Sequence, residues 1–476
     1  MKALNRIIDI YKSEGMLKIE WLILGIISFV SLAIFKYQDT DSLITWSLNL
    51  LDVIYEGRVR EFYSYSALNL YHISHPHVGC EAVALLPWSL WNIPIWIVRR
   101  FFEVNILTNA LFVIWAKLFL VFALLVTMRY TYLIGIHLTG GKVKSMLMAA
   151  LSFSSIHVYI GIYYAGQNDI VVIAFSVMAI YYLMNDSTRK FLLFSAFAIA
   201  LKSFFLFPYI AVILLHEKKM IKVILKLISG YSIILLSKII FYNAPEYQTS
   251  LSSGPTENML YALVEKGIST PYGVASFFVI GILIIYYICY AKKIEDKAQL
   301  HLFTIYAIAA VYALLFLFGH NVFYRYIYLI PFLPILLLYE TSKMKINLII
   351  SAIVNFLMVV MTICGFSLWD GHKVLFHQQY MHPNVMEKIF PGTWSVQKYY
   401  ENLYFISDYM PDFLFRVMSA VILFGTIFIL VLNFPGIKRI PIPFENEKCS
   451  RWIIWCNIFV AIPFLIGVFY IYFKFV

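Results

Sequence analysis

Residues 19–41 read IEWLILGIISFVSLAIFKYQDTD. From Ile19 to Phe35 the run is apolar enough to cross a bilayer, whose hydrocarbon core is about 30 Å thick. Immediately beyond it stand two carboxylates, Asp39 and Asp41, in Tyr37-Gln38-Asp39-Thr40-Asp41. A loop at the exit of a membrane helix has few structural reasons to gather acids, so this pair is the first candidate for chemistry. The first span has no small-residue cleavage site after it and is expected to be a retained helix.

The remainder of the chain repeats the first half of that pattern. Of 476 residues, 62% are hydrophobic and only 13% charged, where a soluble domain carries about 25% charged residues. Spanning-length apolar runs fall near 19–36, 108–136, 145–164, 168–185, 220–241, 273–291, 300–318, 323–340, 345–364, 413–433 and 452–473. The expected fold is an all-α polytopic transmembrane bundle of about 11–13 spans. An outer-membrane barrel needs alternating segments of about ten residues, which the sequence lacks.

The net charge of +11 invites a nucleic-acid reading, but its distribution points elsewhere. With the N-terminus inside, the inner segments hold Lys142, Lys144, Arg189, Lys190, Lys218, Lys219, Lys292 and Lys293, among others. The outer segments, although longer, are poor in Lys and Arg. That asymmetry is the positive-inside rule, so the basic excess reports topology and no nucleic-acid partner is expected. The five cysteines (Cys80, Cys289, Cys364, Cys449 and Cys456) are scattered, without zinc spacing or a disulfide framework.

No repeat or linker breaks the chain, which reads as one integral membrane domain, 1–476, with two large outer loops, 36–107 and 365–412. The first loop opens with an amphipathic helix: Ser42, Thr45, Asn49, Asp52 and Glu56 share one face, and Leu43, Trp46, Leu50, Val53 and Ile54 cover the other. It is expected to lie on the membrane surface, apolar face down, and to stop at Gly57. The stretch Ala82–Val98, interrupted by Pro87 and Pro94 and ringed by Trp88, Trp91 and Trp96, is expected at or dipping into the outer surface. Between Lys190 and His216 both ends carry inner-side charge. A half-depth hairpin over about 190–215, turning near Lys202–Pro208, reconciles them and carries Lys202 deep into the membrane, where irregular backbone survives only in protein or beside a cavity.

An uncompensated charge in lipid costs roughly 3 kcal/mol or more. Lys117, Lys238 and Arg129 sit toward helix ends and are expected to snorkel; Lys202 has no such route and is a candidate anion ligand or a structural counter-charge. Gly166-Gln167-Asn168-Asp169 forms a polar turn between two spans, either a helix cap or a set of amides and carboxylates aimed at sugar hydroxyls. Gly319-His320-Asn321-Val322-Phe323-Tyr324-Arg325-Tyr326 joins an arginine fork to a histidine. That combination suits a phosphate or a lipid headgroup. His72, His75 and His77 are weak candidates for a divalent metal. In the late loop, Trp369, Asp370 and Trp394 offer aromatic faces and a carboxylate for an acceptor, or ordinary interfacial packing.

Taken together, these motifs resemble the type-C glycosyltransferase superfamily, integral membrane enzymes that use sugars carried on polyprenyl phosphate. The resemblance is closest to the bacterial mannosyltransferase-like branch and runs over about 36–340. It rests on Asp39-Thr40-Asp41 after the first span and on Gly166, Gln167 and Asp169 opening a later one. Lys202 leading to Pro208, and Arg325-Tyr326 leading to Pro331, complete the pattern. His75-Pro76-His77 stands where relatives often carry a Tyr-Pro-Pro-like element. The resemblance implies an inverting transferase that moves a mannose-like hexose to a lipid-linked or cell-surface glycan at the outer face. Asp39 or Asp41 would be the base, Lys202, Arg325 and His320 would hold the donor phosphate, and Gln167, Asn168 and Asp169 the sugar. Trp369, Asp370 and Trp394 would face the acceptor; no cofactor is required, although a divalent metal is compatible.

Three other readings remain open. A lipid-linked oligosaccharide flippase or transporter would line its span centres with polar residues, whereas here the centres are apolar. A polysaccharide polymerase or ligase would lean on arginine-rich outer loops, whereas these contain few arginines, Arg58, Arg60 and Arg325 among them. A receptor or scaffold leaves Lys202 unexplained. The richness in Ile, Lys, Tyr and Phe points to an AT-rich, bacterial genome and so to a cell membrane with the site on its extracytoplasmic face.

Overall fold

A computed structural model describes residues 17–69, 78–102, 104, 106–107, 109–244, 246–252, 261, 263–318, 323–365, 373–375, 411–435 and 455. The protein is an all-α, multi-pass membrane protein. Among the described residues six helices are long and apolar enough to cross a bilayer: Ala82–Phe102, Leu111–Thr139, Met220–Phe241, Lys297–Phe318, Met344–Met361 and Phe413–Leu432. A seventh is added if Lys142–Phe153 and Ile156–Tyr163, bent by 41° at their junction, count as one span. Several segments expected to span are shorter: Asp169–Met184 and Phe277–Ala291 have 16 and 15 residues, or about 24 and 22 Å. The expected span 323–340 is not one helix. A 3₁₀ helix over Phe323–Leu329 gives way to a seven-residue α-helix, Leu333–Tyr339, because Pro331 cannot continue it. The expected span 452–473 lies outside the described residues, Trp455 excepted.

The chain divides into two compact units, one of residues 1–37, 131–165 and 330–476, the other of 38–130 and 166–329. In the first, α1 (Lys18–Ile34) is followed by strand β1 (Phe35–Tyr37), which pairs antiparallel with Lys373–Leu375 of the late loop, Lys36 opposite Val374.

All the candidate residues that are described belong to the second unit. Its first helix, α2 (Gln38–Tyr55), carries Asp39 and Asp41 in its first turn, where the helix dipole favours negative charge. The acids therefore begin the helix instead of preceding it. The expected orientation of α2 is also revised: Ser42, Thr45, Asn49 and Asp52 are all buried, while Ile54 and Tyr55 are exposed. The polar stripe faces protein. Helix α3 (Phe62–Leu68) and helix α4 (Leu86–Phe102) receive it. Asn49 donates to the Asn69 carbonyl just past α3 (3.1 Å). Asp52 accepts from Trp96 Nε1 (2.8 Å), from Tyr65 (3.2 Å) and from Arg99. Helix α4 runs unbroken through Pro94. It exposes Leu86, Leu90, Ile97 and Phe101, an apolar stripe at helical spacing.

Helices α5 (Ala110–Thr139) and α6 (Lys142–Phe153) follow. Lys117 in α5 is 0% exposed, so it does not snorkel; Arg129 and Lys238 are exposed, as expected. Helices α7 (Asp169–Met184) and α8 (Thr188–Leu201) form an antiparallel pair. The turn between them places Asp186 at φ 55°, and Ser187 N–H donates back to the Tyr182 carbonyl (2.9 Å). The register follows from side chains along it. Lys190 lies over the Tyr182 ring (4.8 Å), Phe197 stacks on Phe175 (5.4 Å), and Lys202 reaches Asp169.

The chain then reverses. After a 3₁₀ turn at Ser203–Phe205, α9 (Leu206–His216) runs back until Tyr209 lies 5.7 Å from Phe191, ring to ring. This is the hairpin expected over 190–215. Its tip is not isolated at half depth, because pairing with α7 brings Lys202 level with the Gly166–Asp169 turn. Helix α10 (Met220–Phe241) admits Tyr209 against Gly230, where a Cβ would stand 2.5 Å from the ring. After α11 (Tyr247–Ser252) and a hairpin of β2 (Gly267–Thr270) and β3 (Gly273–Ser276), α12 (Phe277–Ala291) and α13 (Lys297–Phe318) complete the unit. Phe204 meets Phe316 near the end of α13 (6.3 Å) and His216 meets Thr304 (2.8 Å), so α13 delivers the 3₁₀ helix to the Lys202 end.

Candidate functional site

The site is organised by one turn. Gly166 has φ 59°, a left-handed conformation that favours glycine. It also presses on α2, since a Cβ at Gly166 would lie 2.1 Å from Thr40 Oγ1. Thr40, between the two aspartates, is fully buried. The acid pair is thus docked, backbone to side chain, on the polar turn.

From that dock the next three residues make separate connections. Gln167 Nε2 donates to Asp39 Oδ2 (2.5 Å). Asn168 Oδ1 accepts from Trp88 Nε1 (2.6 Å), and Trp88, fully buried, packs edge-on against Phe119 (5.0 Å). Asp169, 0% exposed, accepts on Oδ1 from both Lys202 Nζ (2.7 Å) and the Tyr328 hydroxyl (2.6 Å). Its Oδ2 has no hydrogen-bond partner among the described residues. The three residues expected to hold a sugar make these bonds to protein groups: they fix an acid, an indole and a cation.

Lys202 and Arg325 converge on one ring. Lys202 Nζ lies 5.3 Å from the Phe204 centroid and the Arg325 guanidinium 5.6 Å from the same centroid. Lys202 keeps about a third of its side chain exposed (32%), whereas Arg325 is buried. Arg325 and Tyr328 stand three apart in a 3₁₀ helix, where i and i+3 eclipse; one face of that helix therefore supplies both. Two cations gathered around one aromatic face, with Asp169 on the lysine, form a positively charged corner suited to an anion.

A second carboxylate lies at the same end. Glu81, buried beside the 3₁₀ turn Ala82–Leu85, accepts from Ser237 Oγ (2.6 Å) and from the Tyr247 hydroxyl (3.1 Å to each oxygen). Tyr63 closes the loop by donating to the Cys80 carbonyl (3.3 Å) and accepting from Ala82 N–H (3.0 Å). Burial, and then the Glu81 charge, raise the Tyr63 and Tyr247 phenols above their ordinary values. They raise the Cys80 thiol to about 12, with Lys202 opposing. Glu81, Trp88 and Tyr328 carried no sequence signal as site residues. Trp88 reads as an interfacial tryptophan and Glu81 as one acid in an irregular loop; only Tyr328, at i+3 from Arg325, could have been inferred.

His320, His72, His75, His77, Trp369, Asp370 and Trp394 lie outside the described residues. Among the described residues no group of three or more His, Cys, Asp or Glu is placed to hold a metal. No family model, no curated protein and no solved structure matches the chain.

Proposed function

We propose that the protein is a membrane glycosyltransferase that moves a mannose-like hexose from polyprenyl phosphate to a glycan or glycolipid acceptor at the extracytoplasmic face of a bacterial membrane. The observation that carries this reading is the turn in which Gln167 holds Asp39 and Asp169 holds Lys202. An acid suited to be a base and a cation suited to a phosphate are fixed two residues apart.

In this reaction the acceptor hydroxyl oxygen attacks the anomeric carbon as its proton passes to Asp39 or Asp41. The bond from that carbon to the phosphate oxygen breaks, and its electron pair leaves with the polyprenyl phosphate. Displacement from the opposite side inverts the centre. Negative charge grows on the departing phosphate, where preorganised cations act most strongly; Lys202 and Arg325 fill that role. Gln167 and Asp169 are positioning residues in this scheme. The bond from Gln167 fixes where the Asp39 carboxyl points, and a base acts only within hydrogen-bond reach of its proton.

The test uses purified protein in lipid nanodiscs. Short-chain polyprenyl-phosphate mannose, glucose and galactose are supplied with membrane-extract acceptors, with and without chelator. Turnover is expected with one donor and should fall 10²- to 10⁴-fold in the Asp39→Asn/Asp41→Asn double variant, the usual span for a general base. Undiminished transfer by a folded double variant overturns the assignment of the base. Silence with every donor overturns the transferase and favours a polymerase acting on longer lipid-linked chains or a transporter. Loss of turnover on chelation would bring His72, His75 and His77 into the site.

A further inference from the structure

Helix α12 is too short for the membrane its surface demands. Its 15 residues extend about 22 Å, against roughly 30 Å of hydrocarbon. It nevertheless exposes an apolar face of Phe277, Ile280, Leu283, Ile284 and Tyr287. The sequence carries no charge from Gly267 to Ala291, and Lys266 and Lys292 mark the borders. The uncharged segment therefore includes the β2–β3 hairpin, which exposes an apolar side chain on each face, Val274 on one and Ile268 on the other, 50% and 58% exposed. At the tip, between Pro271 and Gly273, Tyr272 is fully exposed.

The hairpin is a built element. Gly267 packs so closely on the opposite strand that a Cβ would sit 2.1 Å from the Ala275 carbonyl oxygen. Thr270 Oγ1 closes the turn by donating to the Gly273 carbonyl (2.7 Å). Ser276 donates to the Leu263 carbonyl (2.7 Å) and caps α12 at Val279 N–H (3.3 Å). Phe278 against Phe207 (5.6 Å) places this end of α12 with the Lys202 end of the unit. A two-stranded hairpin alone is marginal in water, and its open edges exclude it from the hydrocarbon core. The layer that accepts both an open edge and an exposed tyrosine is the headgroup region.

We infer that the β2–β3 hairpin is a membrane-interface anchor: it holds the N-terminal end of α12 at the bilayer surface by lying in the lipid headgroup layer, with Tyr272 at its tip, beside the candidate site. The roughly 8 Å by which α12 falls short of the hydrocarbon thickness is met by local thinning of the bilayer around a short helix, with the hairpin marking where the headgroup layer then lies. This assignment does not rest on the transferase reading.

The test places a benzophenone-bearing phenylalanine at one position at a time in the full chain, in nanodiscs of phosphatidylethanolamine and phosphatidylglycerol, and identifies adducts by mass spectrometry after illumination. Leu283, 59% exposed on the apolar face of α12, reports lipid contact. Glu295, in the polar loop after α12, reports water. Lipid adducts at positions 272 and 274 matching those at 283, and lost at 295, are the expected result. Absence of lipid adducts at 272 and 274 while 283 is labelled overturns the anchor, because the hairpin then stands in water. Cross-links from 272 to protein overturn it too, assigning the surface to a second copy or to another part of the chain.

Discussion

Replacing Gly166 with alanine tests the dock on which the site is built. The substitution has two costs. Holding a non-glycine residue in the left-handed region at φ 59° costs about 1–2 kcal/mol. The added methyl would also stand 2.1 Å from Thr40 Oγ1, and relieving such an overlap in a packed interior costs about 1–3 kcal/mol. Gly166→Ala is therefore expected to destabilise the protein by about 2–5 kcal/mol and to displace Asp39 and Asp41. Thr40→Ala removes the clashing oxygen and leaves the new methyl 3.4 Å from the Thr40 Cβ position. Because Thr40 Oγ1 has no hydrogen-bond partner among the described residues, Thr40→Ala alone should cost only about 1 kcal/mol of methyl burial. The double variant should regain the overlap term, about 1–3 kcal/mol, and retain only the backbone term. A double-mutant cycle read by heat or denaturant unfolding in detergent measures that coupling. If the two effects simply add, Thr40 does not rest on Gly166 and the dock is refuted.

Asp169→Ala removes a carboxylate that serves both Lys202 and Tyr328. Breaking a buried pair costs about 3–5 kcal/mol, and the partial exposure of Lys202 puts the expected loss at the lower end; Lys202→Met in the same chain should recover part of it in unfolding measurements. Trp88→Phe keeps the ring contact with Phe119 but loses the bond to Asn168. A loss of about 1 kcal/mol is expected, and an unchanged unfolding midpoint would show that the indole does not support the turn. Cys80, its thiol raised to about 12 by burial and then by Glu81, should stay unmodified by iodoacetamide at pH 8, where only the thiolate reacts. Mass spectrometry of the proteolytic peptide holding Cys80 reads this, and Glu81→Gln should increase the labelling there.

Much of the architecture is legible without coordinates because hydrophobic run length and helical periodicity are local properties. The helix that follows the acid pair was visible in that way, and inner-side charge at both ends of 190–216 marked the reversal near Lys202. What the sequence could not convey was which surfaces meet. The polar stripe of α2 is apparent from spacing alone, but spacing does not say whether such a face meets water or protein; the bonds of Asn49 and Asp52 show that it meets protein. Run length was equally silent about Lys117, whose stem reaches far enough to snorkel but is enclosed. The pairing of Asp169 with Lys202 depends on α7 and α8 zipping in one register, and spacing along the chain does not show that the Gly166–Asp169 turn grips an acid and a cation. Hydropathy also placed the start of a span at 273, inside what folds as strand β3, because apolar content does not distinguish a helix from a hairpin at the interface.

The turn at Gly166–Asp169 acts as a ruler. With Asp39 fastened to Gln167 and Lys202 to Asp169, the interval between acid and cation is fixed chiefly by the backbone of neighbouring residues. Helices of a membrane bundle shift as the bilayer thins, thickens or admits a long lipid, and such shifts would carry both groups together. Access to the corner can then vary with the membrane while the spacing inside it stays constant. A residue inserted between Gln167 and Asp169 would lengthen the ruler itself, and repacking elsewhere has no means of shortening it again.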